Sequence, residues 1–256
     1  MGGPGATFRH DAAPKTGWTC AVGTFQKRST STDTAAAVGF REGPMAYLDL
    51  SALHAAPTHD EPYDYTVVSG FVRSEALDEI AADFPSIRSP GSFLLSSLSC
   101  GPCFMALVEE LKRDEFRHAM EDKFHVTLEG HPELITVRGR CRARDGKVHT
   151  DAGTKIVSAL IYLNKTWAAN GGRICVLRGP NSFDDCAEEI APVGGTMLAF
   201  LRSQCSWHGH KPFEGQRRVV QVNWITDQRS FDRELRRHRL SAFSKRMNPL
   251  VWLGSA

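Results

Sequence analysis

The chain has 256 residues, a formal net charge of +2 and a composition typical of soluble globular proteins. Its length suits a single barrel-type domain with a helical flank. The small net charge excludes a whole-molecule electrostatic argument for binding nucleic acid or a membrane surface, and no apolar run is long enough to span a bilayer. The seven scattered cysteines favour reduced thiols over a disulfide framework. We therefore expect a cytoplasmic protein without a nucleic-acid or membrane partner.

The first half of the chain predicts a loosely packed segment and then helices. Residues 1–45 are rich in Gly, Ala, Ser, Thr and Pro, which predicts a disordered or loosely packed segment. Residues 46–133 predict a helical flanking region of the same domain, with a short strand at 65–68. Its helices begin at Ser74 and at about residue 104, the second continuing to residue 123 with one apolar face.

From residue 134 the pattern changes to short strands separated by Gly and Pro. The predicted strands cover residues 134–141, 155–163, 173–177, 188–190, 196–201 and 218–225. Because no helix separates them, residues 134–228 predict an antiparallel barrel or jelly roll within a mainly β fold with flanking helices. Residues 229–256 predict a basic, amphipathic C-terminal helix or tail packed on the domain.

A metal site is indicated by three residues of this β region. His149 and Asp151 are two apart, so in an extended chain both side chains reach the same side and the same ion. A further histidine follows at His208, and His210 on the same strand face is a rival for its place. Two histidines and one carboxylate, with the remaining positions open, are the ligands of non-heme Fe(II) oxygenases.

The strand after His208 carries two arginines. Every second residue from Arg218 onward is apolar (Val220, Val222, Trp224), whereas the face that begins with Arg217 continues with Val219, Gln221 and Asn223, which suits solvent or a polar layer. Alternation therefore predicts that Arg218 points inward with the core. A buried arginine needs an anionic partner, and a bound dicarboxylate would supply one. A structural ion pair with an acid elsewhere, or Arg217 in this role, remains an alternative.

Motifs between His149 and Trp224 occur in an order and spacing that belong to one family. They are His149-Thr150-Asp151, the run from Ile161 to Trp167, the pairs Gly171-Gly172 and Gly194-Gly195, and His208 followed by Pro212, Arg218 and Trp224. This segment resembles the core of the Fe(II)/2-oxoglutarate-dependent dioxygenases, most closely the prolyl-4-hydroxylase-like branch. The resemblance implies a double-stranded β-helix (jelly-roll or cupin-type) core.

The resemblance also implies ligands and an activity. Fe(II) would be bound by His149, Asp151 and His208. Arg218 would take the distal carboxylate of 2-oxoglutarate, and Tyr162 would donate its hydroxyl to the same group, although Tyr162 also fits a core tyrosine. With O2 as the second co-substrate, the enzyme would hydroxylate an unactivated C–H bond and release succinate and CO2. No catalytic residue beyond the metal ligands is implied.

The segment before the metal motif departs from the family. Arg138, Arg140, Arg142 and Arg144 alternate along it, so an extended chain would present them on one face. This predicts that Arg140 and Arg142 bind an anionic substrate, with a solvated strand edge as the alternative. The substrate itself, a small molecule or a protein side chain, and the oligomeric state remain open.

Two other functions fit the residues less well. One is a cupin-like metalloenzyme that does not use 2-oxoglutarate, and the other is a non-catalytic binding module on a degenerate oxygenase core. The sequence Cys100-Gly101-Pro102-Cys103 imitates a thioredoxin redox site, but the strand that such a site requires before it is missing.

Overall fold

The computed structural model describes residues 46–246, with side chains as far as Leu240. The segment predicted to be loosely packed, 1–45, lies outside the described residues, as do residues 247–256. The helices are α1 (Leu50–Ala55), α2 (Leu77–Ala82), α3 (Pro102–Leu111), α4 (Asp114–Phe124) and α5 (Gln228–Arg246). Each helix in residues 46–246 is too short or too polar to cross a lipid bilayer.

Nine strands form the β region of the described chain. They are β1 (Tyr65–Val68), β2 (Phe93–Leu94), β3 (Glu133–Cys141), β4 (Lys155–Tyr162), β5 (Ile174–Leu177), β6 (Cys186–Ile190), β7 (Met197–Leu201), β8 (His208–His210) and β9 (Gly215–Ile225). The six predicted strands all occur, with ends that differ by a few residues.

The strands form two antiparallel sheets. The main sheet has the order β1-β7-β4-β9-β3-β2, and the smaller sheet has the order β6-β5-β8. An apolar layer that includes Tyr162, Val176 and Phe200 lies between them. The fold is the predicted double-stranded β-helix with flanking helices.

The other face of the main sheet packs against the helices. Alternate residues of β4 and β9, among them Ala159, Val222 and Trp224, share one core with Phe104 and Phe116 from α3 and α4. Both faces of the central strands are therefore buried, one by helices and one by the smaller sheet. This arrangement decides which polar side chains reach the interior of the barrel.

Two details of the region 46–133 differ from the prediction. The single helix predicted over 104–123 is wrong: α3 ends at Leu111, and α4 begins at Asp114 after an extended Arg113 (φ −73°, ψ 154°). The strand predicted at 65–68 occurs as β1, which pairs with β7, but β2, which pairs with β3, was not predicted.

Candidate active site

The three predicted metal ligands meet at one end of the barrel. His149 and His208 form an antiparallel bridge, with backbone N···O distances of 3.0 and 2.9 Å in the two directions. Asp151 lies just before β4. One ligand atom from each of His149, Asp151 and His208 lies within 4.8 Å of the other two. Within the described part of the chain no other group of His, Cys, Asp and Glu side chains has this geometry.

Backbone carbonyls set the orientation of both imidazole rings. Nδ1 of His149 lies 2.7 Å from the carbonyl oxygen of Lys147, and Nδ1 of His208 lies 2.9 Å from that of Ser206. Because a carbonyl only accepts, each Nδ1 carries the hydrogen and each Nε2 is left with a lone pair for a metal. Burial lowers the pKa of His208 to about 4, which keeps this ring neutral.

The carboxylate of Asp151 is buried and held at both oxygens. The hydroxyl of Ser158 donates to Oδ2 at 2.5 Å, and Nζ of Lys155 lies 2.9 Å from Oδ1. Burial alone raises the pKa of Asp151, but the charge of Lys155, together with His208 and Ser158, outweighs it and lowers the pKa. Two imidazoles whose Nε2 atoms are free to coordinate and one ionised carboxylate are a donor set that fits Fe(II) with open coordination positions.

His210 lies elsewhere in the cavity. It is not part of the metal cluster, and its Nδ1 donates to the carbonyl of Lys211 at 2.9 Å. Its ring packs on Gly146, where an added Cβ would lie 2.2 Å from Nε2. Burial and, after it, the charge of Arg217 lower the pKa of His210 to about 4. The geometry therefore favours His208 over His210 as the third ligand.

A cavity of about 150 Å³ adjoins the three candidate ligands. Its wall includes Arg138 from β3, Lys155 from β4, and Arg217 and Gln221 from β9. Asp151 is the only carboxylate among the described residues that line it. The cavity therefore carries more positive than negative charge before any ligand binds.

Arg217, rather than Arg218, lies in the barrel interior. It exposes only 4% of its surface, its Nε donates to the carbonyl of Gly172 at 2.8 Å, and one Nη lies 3.4 Å from the hydroxyl of Tyr162. Within the described residues no carboxylate lies within salt-bridge distance of it. A buried guanidinium without an anionic partner is unfavourable, so this position fits a bound anion.

The prediction that Arg218 points inward is wrong. Arg218 projects from the opposite face of β9, where it donates to the carbonyl of Ala81 at 2.9 Å and lies 5.1 Å from the ring centre of Phe84. The apolar face that Arg218 shares with Val222 and Trp224 packs against the helices and not inside the barrel. The face that begins with Arg217 supplies Arg217, Val219 and Gln221 to the cavity wall.

Tyr162 is buried at the same end as Arg217. One guanidinium nitrogen (Nη2) of Arg217 lies 3.4 Å from the Tyr162 hydroxyl, and the guanidinium carbon lies 5.2 Å from the centre of the Tyr162 ring. Burial raises the pKa of Tyr162, and the charge of Arg217 opposes this. Tyr162 contacts the cavity through Arg217 and is not itself part of the wall.

The predicted row of four arginines does not form. β3 has a bulge between Arg138 and Arg140 and ends at Cys141, so the later residues do not continue the extended face. Arg140 is exposed, and Arg142 folds back on Asp145, to which its guanidinium donates at 3.4 Å. Neither lines the cavity. Only Arg138 does, so the basis for placing Arg140 and Arg142 at the substrate is wrong.

The Cys100–Cys103 motif lies at the start of α3, away from the cavity. The backbone N–H of Cys103 donates to the Asp83 carboxylate at 2.6 Å. A hydrogen bond between the Cys103 thiol and the Asp83 carboxylate, followed by burial, raises the pKa of Cys103, and burial raises that of Cys100. A redox-active motif needs the opposite shift, so the structure does not support a thioredoxin-like role.

Sequence reasoning missed two residues that contact Asp151. Lys155 and Ser158 belong to no recognisable sequence motif. Only their closeness to Asp151 in the sequence indicated a possible contact. Arg217 was considered, but the periodicity of β9 favoured its neighbour. Each of these three side chains reaches the site through strand register, which periodicity alone does not determine.

The fold and the three converging side chains define a jelly-roll protein with a candidate metal site. Residues 140–226 match the sequence model of the 2OG-Fe(II) oxygenase superfamily. The matched segment is 87 of the 256 residues, and it is similar to that superfamily. No curated protein is similar enough to the chain to count as a match.

Solved structures similar to this chain include two prolyl hydroxylases. A prolyl-4-hydroxylase from Pseudomonas putida is 18% identical, with a TM-score of 0.48, 72% of this chain and 94% of that one being covered. A viral collagen prolyl hydroxylase from Paramecium Bursaria Chlorella virus-1, in a 2OG complex, is 16% identical, with a TM-score of 0.45 and coverages of 63% and 94%.

HygX from Streptomyces hygroscopicus, with nickel and 2-oxoglutarate bound, is also similar to this chain. It is 12% identical, with a TM-score of 0.42, and the alignment covers 64% of this chain and 82% of that one. At these identities and TM-scores, the likeness says nothing about the substrate of this chain.

Proposed function

We propose that this protein is an Fe(II)- and 2-oxoglutarate-dependent hydroxylase in which His149, Asp151 and His208 hold the metal. The observation that carries the proposal is the meeting of these three ligand atoms within 4.8 Å, beside a cavity that contains an unpaired buried arginine. The two imidazoles present Nε2 because each Nδ1 donates to a backbone carbonyl.

Arg217 is the residue that binds the distal carboxylate of 2-oxoglutarate in this proposal. Its planar guanidinium matches a carboxylate with two parallel hydrogen bonds, and Nε is already fixed by the carbonyl of Gly172. The hydroxyl of Tyr162 accepts a hydrogen bond from Nη2 of Arg217 and so helps to position the guanidinium. In this proposal the same hydroxyl donates its hydrogen to the distal carboxylate. This assignment replaces Arg218, whose side chain lies outside the barrel.

The residues of the chain supply orientation and a shielded site for the reaction. When bound, iron with 2-oxoglutarate and O2 supplies the oxidising chemistry: one oxygen atom enters the C–H bond, and the other leaves in succinate as CO2 is released. Ser158 fixes the Asp151 carboxylate, and the apolar layer around Leu160 and Val219 restricts water.

The substrate of the proposed reaction carries an anionic group. Arg138, Lys155 and Arg217 line the cavity, and Asp151 is the single carboxylate among the described lining residues. A divalent metal and the dianionic co-substrate cancel each other, so a positive surplus remains in the cavity, of which Asp145, 3.7 Å from Arg138, offsets a part. A substrate carboxylate or phosphate would neutralise part of it, with Arg138 as the half-exposed contact.

Anaerobic binding and uncoupled turnover test the proposed reaction. The full-length protein with Fe(II) and 2-oxoglutarate should show a visible charge-transfer band without oxygen. With oxygen it should release succinate slowly in the absence of substrate. If the protein binds Fe(II) but neither the band nor succinate appears, the chain is a metalloenzyme that does not use 2-oxoglutarate. If no metal binds, the non-catalytic module is the better account.

A screen for substrate-stimulated succinate release tests the anionic substrate. We expect carboxylates or phosphates to stimulate release, and their neutral esters to be weaker by about tenfold or more. Arg138→Ala should raise the KM for the stimulating compound, whereas Arg140→Ala, a change at an exposed position outside the cavity, should not. Equal stimulation by the acid and its ester would contradict the anionic substrate.

A further inference from the structure

Lys155 reaches the cavity because β4 contains a bulge. The pairing with β9 passes from Lys155–Ile225 directly to Val157–Trp224, which leaves Ile156 without a partner. Ile156 and Val157 consequently both pack into the helix-facing core. In a regular strand, Lys155 would share the face of Val157. The bulge turns it to the opposite face, where it lines the cavity.

The ammonium group of Lys155 is the counter-ion of a candidate metal ligand. Its Nζ lies 2.9 Å from Oδ1 of Asp151, and the two side chains are only 12% and 9% exposed. The other carboxylate oxygen, Oδ2, accepts from Ser158. Both oxygens of Asp151 are therefore engaged in the described structure, although a metal held by the three ligands needs one of them.

Electrostatics opposes a fixed Lys155–Asp151 pair once a metal binds. An ammonium group and a divalent ion on the same carboxylate repel each other, and repulsion is stronger in a buried cavity than in water. Without a metal, in contrast, Lys155 stabilises a buried carboxylate that would otherwise lack a positive partner. The same lysine thus favours the metal-free state and disfavours the metal-bound state.

We propose that Lys155 is an exchangeable counter-ion: it pairs with Asp151 until a metal binds, and then with an anionic ligand in the cavity. This inference rests on the proposed function for the identity of the metal site. It makes Lys155 a positioning residue that couples metal loading to anion binding. The anionic group is a carboxylate of 2-oxoglutarate or an anionic group of the substrate, and both present the same chemistry to the ammonium group.

Metal affinity without any co-substrate tests the first half of the proposal. The probe is Ni(II) alone, titrated into full-length wild type, Lys155→Met and Lys155→Gln, with affinity measured by calorimetry or competition with a chelating dye. We expect both variants to bind Ni(II) at least about tenfold more tightly than wild type does. Lys165→Met is the control, because Lys165 pairs with Asp78 on the surface and is 62% exposed; it should leave the affinity unchanged.

Thermal unfolding gives a second readout that does not depend on activity. The metal-free Lys155→Met protein should have a lower Tm than wild type, and its Tm should rise more when Ni(II) is added. If Lys155→Met does not fold, Lys155→Gln, which keeps a hydrogen-bond donor without the charge, gives the same comparison. Equal or weaker Ni(II) affinity in the variants would show that Lys155 stays on Asp151, and the exchange would be overturned.

Coupling to anions tests the second half and identifies the source of the anion. In one arm, Ni(II) affinity is measured with and without 2-oxoglutarate. In the other, inorganic phosphate is added to protein saturated with 2-oxoglutarate. If the partner of Lys155 is 2-oxoglutarate, adding 2-oxoglutarate should raise the Ni(II) affinity of wild type more than that of Lys155→Met. If the partner is a substrate group, adding phosphate should produce this difference instead. No difference in either arm contradicts the coupling.

The Ni(II) experiments can be interpreted even if the proposed oxygenase function is wrong. The Ni(II) titration without co-substrate depends only on the three ligands and Lys155. Absence of succinate release, with tighter Ni(II) binding in the variants, would reject the oxygenase reaction and leave the counter-ion exchange in place.

Discussion

Arg217 and Arg218 are neighbours on β9, and their side chains leave the main sheet on opposite faces. Arg217 donates to the carbonyl of Gly172 inside the barrel, whereas Arg218 donates to the carbonyl of Ala81 in the helical layer. Because successive residues of a strand alternate between faces, one arginine can serve the cavity and the other can connect the sheet to the helices.

The two arginines should therefore differ in their effect on co-substrate binding. Arg217→Ala is expected to weaken 2-oxoglutarate binding by about 100-fold or more, since a buried charge pair loses one partner. Arg218→Ala is expected to keep the affinity within about threefold and to lower stability by about 1 kcal/mol through the lost contacts with Ala81 and Phe84. Calorimetric titration with Ni(II) present measures the first quantity, and urea unfolding the second. The reverse pattern would restore Arg218 as the co-substrate residue.

The metal ligands give a second prediction. His149→Ala, Asp151→Ala and His208→Ala should each abolish stoichiometric Fe(II) binding and turnover, because removing one of three ligands leaves an incomplete site. His210→Ala should retain Fe(II), since His210 lies outside the cluster. Metal analysis after anaerobic loading is the measurement, and far-ultraviolet circular dichroism checks that each variant is folded. Loss of iron in His210→Ala but not in His208→Ala would show that the third ligand is misassigned.

Glu133 gives a pH-dependent prediction. Burial raises the pKa of this carboxyl to about 7, although Trp224, Lys112 and Arg117 act in the opposite direction. The folded state then binds the proton more tightly than the unfolded state, whose pKa is near 4.5. The stabilisation that the protonated carboxyl contributes is complete below the pKa of the unfolded state and is lost as the pH rises through about 7.

The variant Glu133→Gln tests this relation, because it cannot lose a proton. The free energy of unfolding of Glu133→Gln minus that of wild type should be larger at pH 8 than at pH 5, as measured by urea unfolding at both pH values. Glu115→Gln is the matched control at an exposed helix position and should show no such difference. A Glu133→Gln effect that is the same at both pH values would contradict a raised pKa.

Gly146 supports the loop that leads to His149. Its φ is +77°, and a Cβ there would lie 2.2 Å from Nε2 of His210. Gly146→Ala should therefore destabilise the protein by about 2–3 kcal/mol and weaken metal binding as the loop shifts. Gly70→Ala is the matched control: its φ is +72°, but no atom lies within 4 Å of the added Cβ. Equal destabilisation by the two variants would mean that the contact with His210 is unimportant.

Sequence patterns were sufficient for most of the described strands and singled out the three candidate ligands. Short apolar runs separated by Gly and Pro predicted the strands of the double-stranded β-helix because each strand is locally encoded. His149 and Asp151 are linked by strand period alone, and His208 by its place in the family's motif order. The break at Arg113 between α3 and α4 was not predicted, because the apolar period runs on across it.

Tertiary structure alone decided which polar side chains enter the barrel. Periodicity separates the two faces of β9 but does not tell which one is the interior, because helices bury one face and the smaller sheet buries the other. Arg217 was therefore missed in favour of Arg218. Lys155 was missed because a single unpaired residue, Ile156, reverses its face. A one-residue shift in register moves a side chain from one side of a sheet to the other, and only the paired strands determine that register.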